Sequence, residues 1–88
     1  MEVRFLRSFS KDLDKIRNPK ALQSIQQVIT EVENAARLSE IRNLEKLKHP
    51  VASYRIRTGQ YRIGIFIDRD VVEFARVAHR KDIYRIFP

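Results

Sequence analysis

Apolar and polar residues change period twice along the chain. Val3 and Phe5 flank Arg4 and predict a first strand, EVRFL. Ser8 or Ser10 is placed to cap a short helix carrying Leu13 and Ile16, which Asn18-Pro19 ends. The same dipeptide opens the next helix, with Asn18 as cap and Pro19 in the first turn. From there Leu22, Ile25, Val28, Ile29, Val32 and Ala36 recur at spacings of three and four, the strongest helical pattern in the sequence. LSEIRNLEKLKHP follows as a mixed, partly packed connector. After Pro50 the period falls to two: SYRIR, QYRIGIFID and VVEFARVAH predict three strands joined by short turns. RKDIYRIFP closes the chain as a short helix or extended segment.

This order predicts an α+β fold: an N-terminal strand, a hairpin of two helices, then a three-stranded antiparallel meander. The helices pack on one face of the sheet, and a short C-terminal segment follows. Residues 1–88 are expected to form one domain, since 88 residues leave no room for a second core.

The alternation assigns side chains to faces. With Thr58-Gly59 as a two-residue turn, Arg55 stands opposite Arg62 and Ile56 opposite Tyr61. Tyr54, Ile56, Tyr61, Ile63, Ile65 and Ile67 then share the side that meets the helices. A slip of one residue would set arginines against isoleucines, so the faces are well specified. A three-residue turn at Asp68-Arg69-Asp70 sets Arg76 opposite Arg62, with Gly64, Phe66 and Phe74 on the same side and Arg80 continuing its parity. Glu73 then falls on the helix-covered side. Arg55, Arg62 and Arg76 would stand in a row across three strands, although like charges directly opposite cost up to ~1 kcal/mol per pair.

Charge sharpens this. Eighteen Lys and Arg against eleven Asp and Glu give a formal net charge of +7, which points to a polyanionic partner: nucleic acid, an acidic protein or an anionic membrane surface. A merely solubilising basic surface is the plain alternative. Between Lys48 and Lys81 the chain holds six arginines and no lysine. Lysine would keep a surface hydrated equally well, whereas guanidinium presents a planar fork that matches phosphate oxygens. Cysteine is absent, and His49 and His79 lie thirty residues apart, so no metal site is expected. No apolar run approaches the length of a membrane span, and the charged N-terminus does not read as a signal peptide; a cytoplasmic protein is expected.

The element order, the motif YRIRTGQYRIGIFID and the ending VEFARVAHRKDIY resemble the RelE/ParE superfamily of toxins from type II toxin–antitoxin modules, the RelE branch most closely. The resemblance covers nearly the whole chain. It implies a ribosome-dependent endoribonuclease that enters the ribosomal A site, contacts ribosomal RNA and cuts mRNA there. It also implies a cognate antitoxin bound in a toxin–antitoxin hetero-oligomer, with no membrane partner. Carried over by motif, Arg62, Arg80 and Tyr84 are the expected catalytic residues and Arg55 and Arg57 the expected RNA contacts, which Arg76 joins from its place in the arginine row. The best-studied RelE has lysines where Arg55 and Arg57 stand, and arginine does not act as a base at neutral pH. ParE-type gyrase inhibitors share the scaffold, and a non-catalytic nucleic-acid-binding module would use the same arginines; both stay open as alternatives.

RNA is cut without metal or other cofactor when its own 2′-hydroxyl attacks the adjacent phosphate. The protein then has to align the chain, neutralise the developing phosphorane and move protons. Arg62 and Arg80 suit the charge, and Tyr84 is the expected base or a stacking platform. His79 is the other candidate for acid–base work, histidine being the side chain suited to it near neutral pH, but its parity is opposite to that of Arg80, which favours packing or capping.

Overall fold

A computed structural model describes residues 1–88. In chain order it contains β1 (Glu2–Phe5), α1 (Arg7–Asp14), α2 (Pro19–Asn34), a 3-10 turn at Leu38–Glu40, β2 (Leu44–Lys46), β3 (Ser53–Thr58), β4 (Tyr61–Asp68), β5 (Val71–His79) and α3 (Ile83–Ile86). The sheet has five strands in the order β1-β5-β4-β3-β2, with β1 parallel to β5 and every other pair antiparallel. The connector thus contributes a strand that the sequence does not announce. Three residues are too few to establish a period, and β2 exists because Leu44, Glu45 and Lys46 pair with Ile56, Arg55 and Tyr54.

The second helix forms as its pattern predicts. Asn18 Oδ1 accepts the backbone N–H of Lys20 at 2.9 Å and of Ala21 at 3.3 Å, and Pro19 fills the position whose N–H would be unpaired anyway. Ile25, Ile29 and Val32 are buried from it; Ala36 lies beyond the helix and is exposed, while Ala35 is buried instead. The first helix starts without a serine cap. Leu6 holds the cap position, Ser8 lies inside the helix, and its hydroxyl donates to the Ala75 carbonyl at 2.6 Å. The reason is the sheet edge. β1 stops pairing with β5 at Phe74, so α1 runs beside the remainder of β5 and meets the polar groups left there.

Both helices cover one face. Phe9, Ile25, Ile29 and Val32 close over Ile56, Ile63, Ile65, Val72, Phe74 and Val77 in one buried cluster. The strand registers differ from the expected ones. The β3–β4 turn is Gly59-Gln60, so Thr58 pairs with Tyr61, Arg57 with Arg62 and Arg55 with Gly64. Gly59 takes φ +58°, a conformation that a β-branched Thr58 would adopt only at a steric cost. The shift is two residues, so every side chain keeps its face.

β4 and β5 meet at a two-residue turn, Arg69-Asp70, rather than a three-residue one, and a bulge interrupts their ladder. Ile65 faces Phe74 and Gly64 faces Arg76, leaving Ala75 as the extra residue. The bulge inverts the parity of the first half of β5. Val72 and Phe74 turn into the helix-covered core, and Glu73 moves to the opposite face, across from Phe66. That face is not bare. Ile83 and Phe87 from the α3 segment pack onto Ala75, Phe66 and the bare backbone of Gly64.

Candidate functional site

The arginine face lies beside α3. Arg55 and Arg57 alternate along β3, and Arg62, opposite Arg57, completes the cluster from β4. With Tyr84 they line a groove of about 390 Å³ whose far wall is Asn43, Leu44 and Glu45 of β2 and the residue before it. The size suits a small ligand or a single nucleotide unit. Three guanidinium groups and one carboxylate share the groove, so it is electropositive.

Each arginine is held differently. Arg55 is 13% exposed; its Nη2 lies 3.5 Å from Glu45 Oε1, and its guanidinium carbon sits 4.4 Å from the centroid of the Tyr84 ring. Its Nε is buried without a partner. Such a stacked cation contributes roughly 0.5–2 kcal/mol, which helps α3 stay docked. Arg62 Nη1 donates to the Gly59 carbonyl at 3.0 Å and the Tyr61 carbonyl at 2.9 Å, so the hairpin's own backbone aims this side chain. Arg57 reaches Asn43 Oδ1 at 3.5 Å and is exposed. Neither Arg57 nor Arg62 has an acidic partner, and both keep their charge available to an outside anion.

The remaining expected site residues are spread out. Arg80 is exposed; its backbone N–H donates to the Gln60 carbonyl at 2.7 Å, which puts it beside the β3–β4 turn but not in the groove wall. Arg76 stands opposite Gly64 rather than Arg62 and is drawn to the sheet edge. Its Nε and Nη2 donate to the Asp12 carboxylate at 2.7 and 3.1 Å, and Asp12 also accepts the Val77 N–H at 3.0 Å. That bonded carboxylate holds the Arg76 guanidinium above its ordinary value, against the opposing effect of burial. Arg76 therefore clamps α1 to β5. His79 lies on the other face, edge-on to Tyr61 at 5.9 Å, where its Nδ1 accepts the Lys81 N–H at 3.2 Å and closes the turn into α3. No group of three His, Cys, Asp or Glu side chains converges as a metal site would require.

The ParE toxin model of the type II toxin–antitoxin system, parDE, matches residues 3–84. Toxin RelE3 of Methanocaldococcus jannaschii is 40% identical over 90 residues, covering all of both chains. The chain belongs to the RelE/ParE superfamily of type II toxins.

Within that superfamily it is a RelE-like toxin, as the solved relatives also indicate. A RelB–RelE antitoxin–toxin complex from Methanococcus jannaschii matches with a TM-score of 0.72 and 37% identity, over 96% of this chain and 98% of that one. The RelBE2 complex of Mycobacterium tuberculosis gives 0.71 and 27%, over 90% and 96%. The strand, helix hairpin and antiparallel sheet expected from sequence are thus the fold of this RelE-like toxin. Three groove residues escape sequence reading, Asn43, Leu44 and Glu45, of which Asn43 and Glu45 are polar. Asn43 carries a weak signal, since it takes φ +60°, a conformation asparagine tolerates better than most residues. Glu45 carries none, because its place beside Arg55 depends on a strand that only pairing creates.

Proposed function

We propose that this RelE-like toxin is a ribosome-dependent mRNA endoribonuclease that halts translation, acts in the cytoplasm and is held inactive by a cognate antitoxin. The observation that carries the reading is the groove, in which Arg55, Arg57 and Arg62 from two adjacent strands converge with Tyr84. An arginine pair with no acidic partner is costly on a sheet unless an anion occupies the space between them. The antitoxin-bound form of the 37% identical relative supports the partner. No helix of this chain is long and apolar enough to cross a membrane.

The chemistry follows from the groups present. An mRNA backbone laid through the groove meets Arg57 and Arg62 at one phosphate, and Arg80, beyond the β3–β4 turn, suits a neighbouring phosphate. Attack by the 2′-hydroxyl adds charge to that phosphate's oxygens, and the Arg62 guanidinium, already aimed by the Gly59 and Tyr61 carbonyls, stabilises it without reorganising. Arginine cannot lose its proton at neutral pH, so this stabilisation does not depend on pH. The substrate's alignment is left to the ribosome.

Primer extension on mRNA from translating ribosomes tests the proposal. The wild-type protein should leave cuts, and Arg62→Ala should slow them by roughly 10²–10³-fold, as losing one stabilising donor does. Arg80→Ala should weaken cutting less, and Tyr84→Phe should keep the stack on Arg55 while losing the hydroxyl. Intact mRNA together with stabilised gyrase–DNA cleavage complexes would replace this reading with that of a gyrase inhibitor.

A further inference from the structure

We infer that a notch at the open edge of β3 receives the base of a nucleotide next to the cut, an inference that rests on the nuclease reading above. The notch has a volume of about 220 Å³ and lies between α2, the residues before β2 and the β3–β4 turn. That is below the roughly 300 Å³ at which pockets for drug-sized ligands begin, so it takes a ring system rather than a whole nucleotide. It adjoins the arginine groove, because Asn43 and Arg57 line both. Backbone fixes the join: the Arg57 N–H donates to the Asn43 carbonyl at 3.1 Å. Beyond Asn43, which takes φ +60°, β2 no longer accompanies β3, and Thr58 and Gly59 are left without a partner on that side. An RNA strand leaving the groove over Arg57 therefore meets the notch directly.

The lining suits a base better than a second phosphate. Val28 and Ile56 supply apolar wall, and Ser24, Gln27, Asn43 and Thr58 supply neutral polar groups. An unstacked base offers the matching features, flat faces and edges that donate and accept. An anion is less welcome there. Arg42 is bonded to Glu31 at 2.6 Å, so that cation is neutralised and a carboxylate stands beside it. Of the two amides, Asn43 Oδ1 already accepts from Arg57 Nη2 at 3.5 Å, whereas Gln27 is exposed and its side chain is free of partners in the protein. A free amide donates and accepts at once, as the N6 and N7 edge of adenine requires. Adenine is therefore the expected base, and Gln27 the residue that selects it.

Recognition in the notch bears on the cut. Gly59 lines the notch, and its carbonyl accepts the Arg62 Nη1 hydrogen bond at 3.0 Å. The turn that walls the base site thus also aims the guanidinium assigned to the attacked phosphate. A base seated there fixes its nucleotide relative to that phosphate, and in-line attack depends on such alignment. On α2, Ser24, Gln27 and Glu31 recur at three and four residues, a polar stripe beside the buried Ile25, Ile29 and Val32. From sequence such a stripe reads as a solvated flank. It becomes a wall only because Asn43 and Gly59, distant in the chain, close the other sides.

The test is single-turnover cleavage of mRNA held on purified ribosomes, with each of the four bases placed in turn on either side of the cut. Wild type should cut fastest with adenine at one of the two positions, by on the order of tenfold over the poorest base. Gln27→Ala should flatten that preference, and so should Gln27→Glu, which keeps the length but removes the donor. Both should leave the rate on the poorest base within about threefold of wild type. Gln26→Ala, exposed on α2 outside the notch, should keep the full profile. A profile unchanged in the Gln27 variants overturns the inference and leaves the nuclease reading standing, as does wild-type cleavage that does not favour adenine. A loss of rate by one factor on all four bases would assign the notch to a ribosomal RNA base and overturns it too. Wild-type protein that cuts none of the substrates overturns both readings together. Gln27 is exposed, so its variants should fold, which circular dichroism verifies.

Discussion

Replacing Gly64 with alanine puts a methyl group where the Phe87 ring lies. A Cβ there would stand 2.7 Å from Phe87 Cε2 and closer still to Cγ and Cδ2. Carbon atoms pack at about 3.5–4.0 Å, so the ring has to retreat by roughly an ångström. It has little room: Phe87 is buried, its ring packs on Phe66 at 5.0 Å, and its backbone N–H is bonded to the Ile83 carbonyl at 2.9 Å. Overpacking of this kind costs about 1–3 kcal/mol. If the ring leaves altogether, the loss approaches the ~3–5 kcal/mol of a buried Phe→Ala change. Without the ring, alanine in a strand should be better than glycine by about 0.5–1 kcal/mol. Urea denaturation of wild type, Gly64→Ala, Phe87→Ala and the double variant should therefore give a coupling energy of about 1.5–4 kcal/mol. Phe87 anchors the segment that carries Tyr84 over Arg55, so Gly64→Ala should also slow mRNA cleavage. A coupling below about 0.5 kcal/mol would refute the claim that this glycine exists to seat α3.

Two further outcomes test the frame around the groove. Asp12→Asn should cost about 2–3 kcal/mol by chemical denaturation, since the carboxylate is nearly buried and serves both Arg76 and the Val77 N–H. Asp12 raises the Arg76 guanidinium above its ordinary value, so that contribution is fully present below the usual guanidinium range and is lost only as pH climbs through the raised value; the penalty should be the same at pH values of about 7 and 9. Asn18→Ala, which removes the cap bonds to Lys20 and Ala21, should cost about 1 kcal/mol and lower the melting temperature by roughly 4–8 °C, read by thermal circular dichroism.

The α3 segment joins stability to chemistry. It brings one apolar side chain to Gly64 and one aromatic to Arg55, and both contacts lie on the face that carries the arginines. The groove is therefore not a bare sheet surface. It is bounded by β2 on one side and α3 on the other, and this confinement gives its arginines a shared target.

The local pattern of residues was enough to place α2, because its cap, its first-turn proline and its apolar stripe are all nearest-neighbour features. It was enough to put Arg55, Arg57 and Arg62 on one face as well. Side chains in a strand alternate with a period of two, so even a register wrong by two residues leaves the faces unchanged. Tertiary contacts decided the rest. The bulge at Ala75 reversed half of β5, sending Phe74 into the core and Glu73 out of it, and no run of residues in VVEFARVAH marks where that break falls. Asp12 met Arg76 across 64 positions of sequence. Glu45 reached the arginines on a three-residue strand that has no periodicity of its own. Periodicity reports which way a side chain points within its element, while partners depend on how distant elements pair, and that is settled only when the sheet closes around its core.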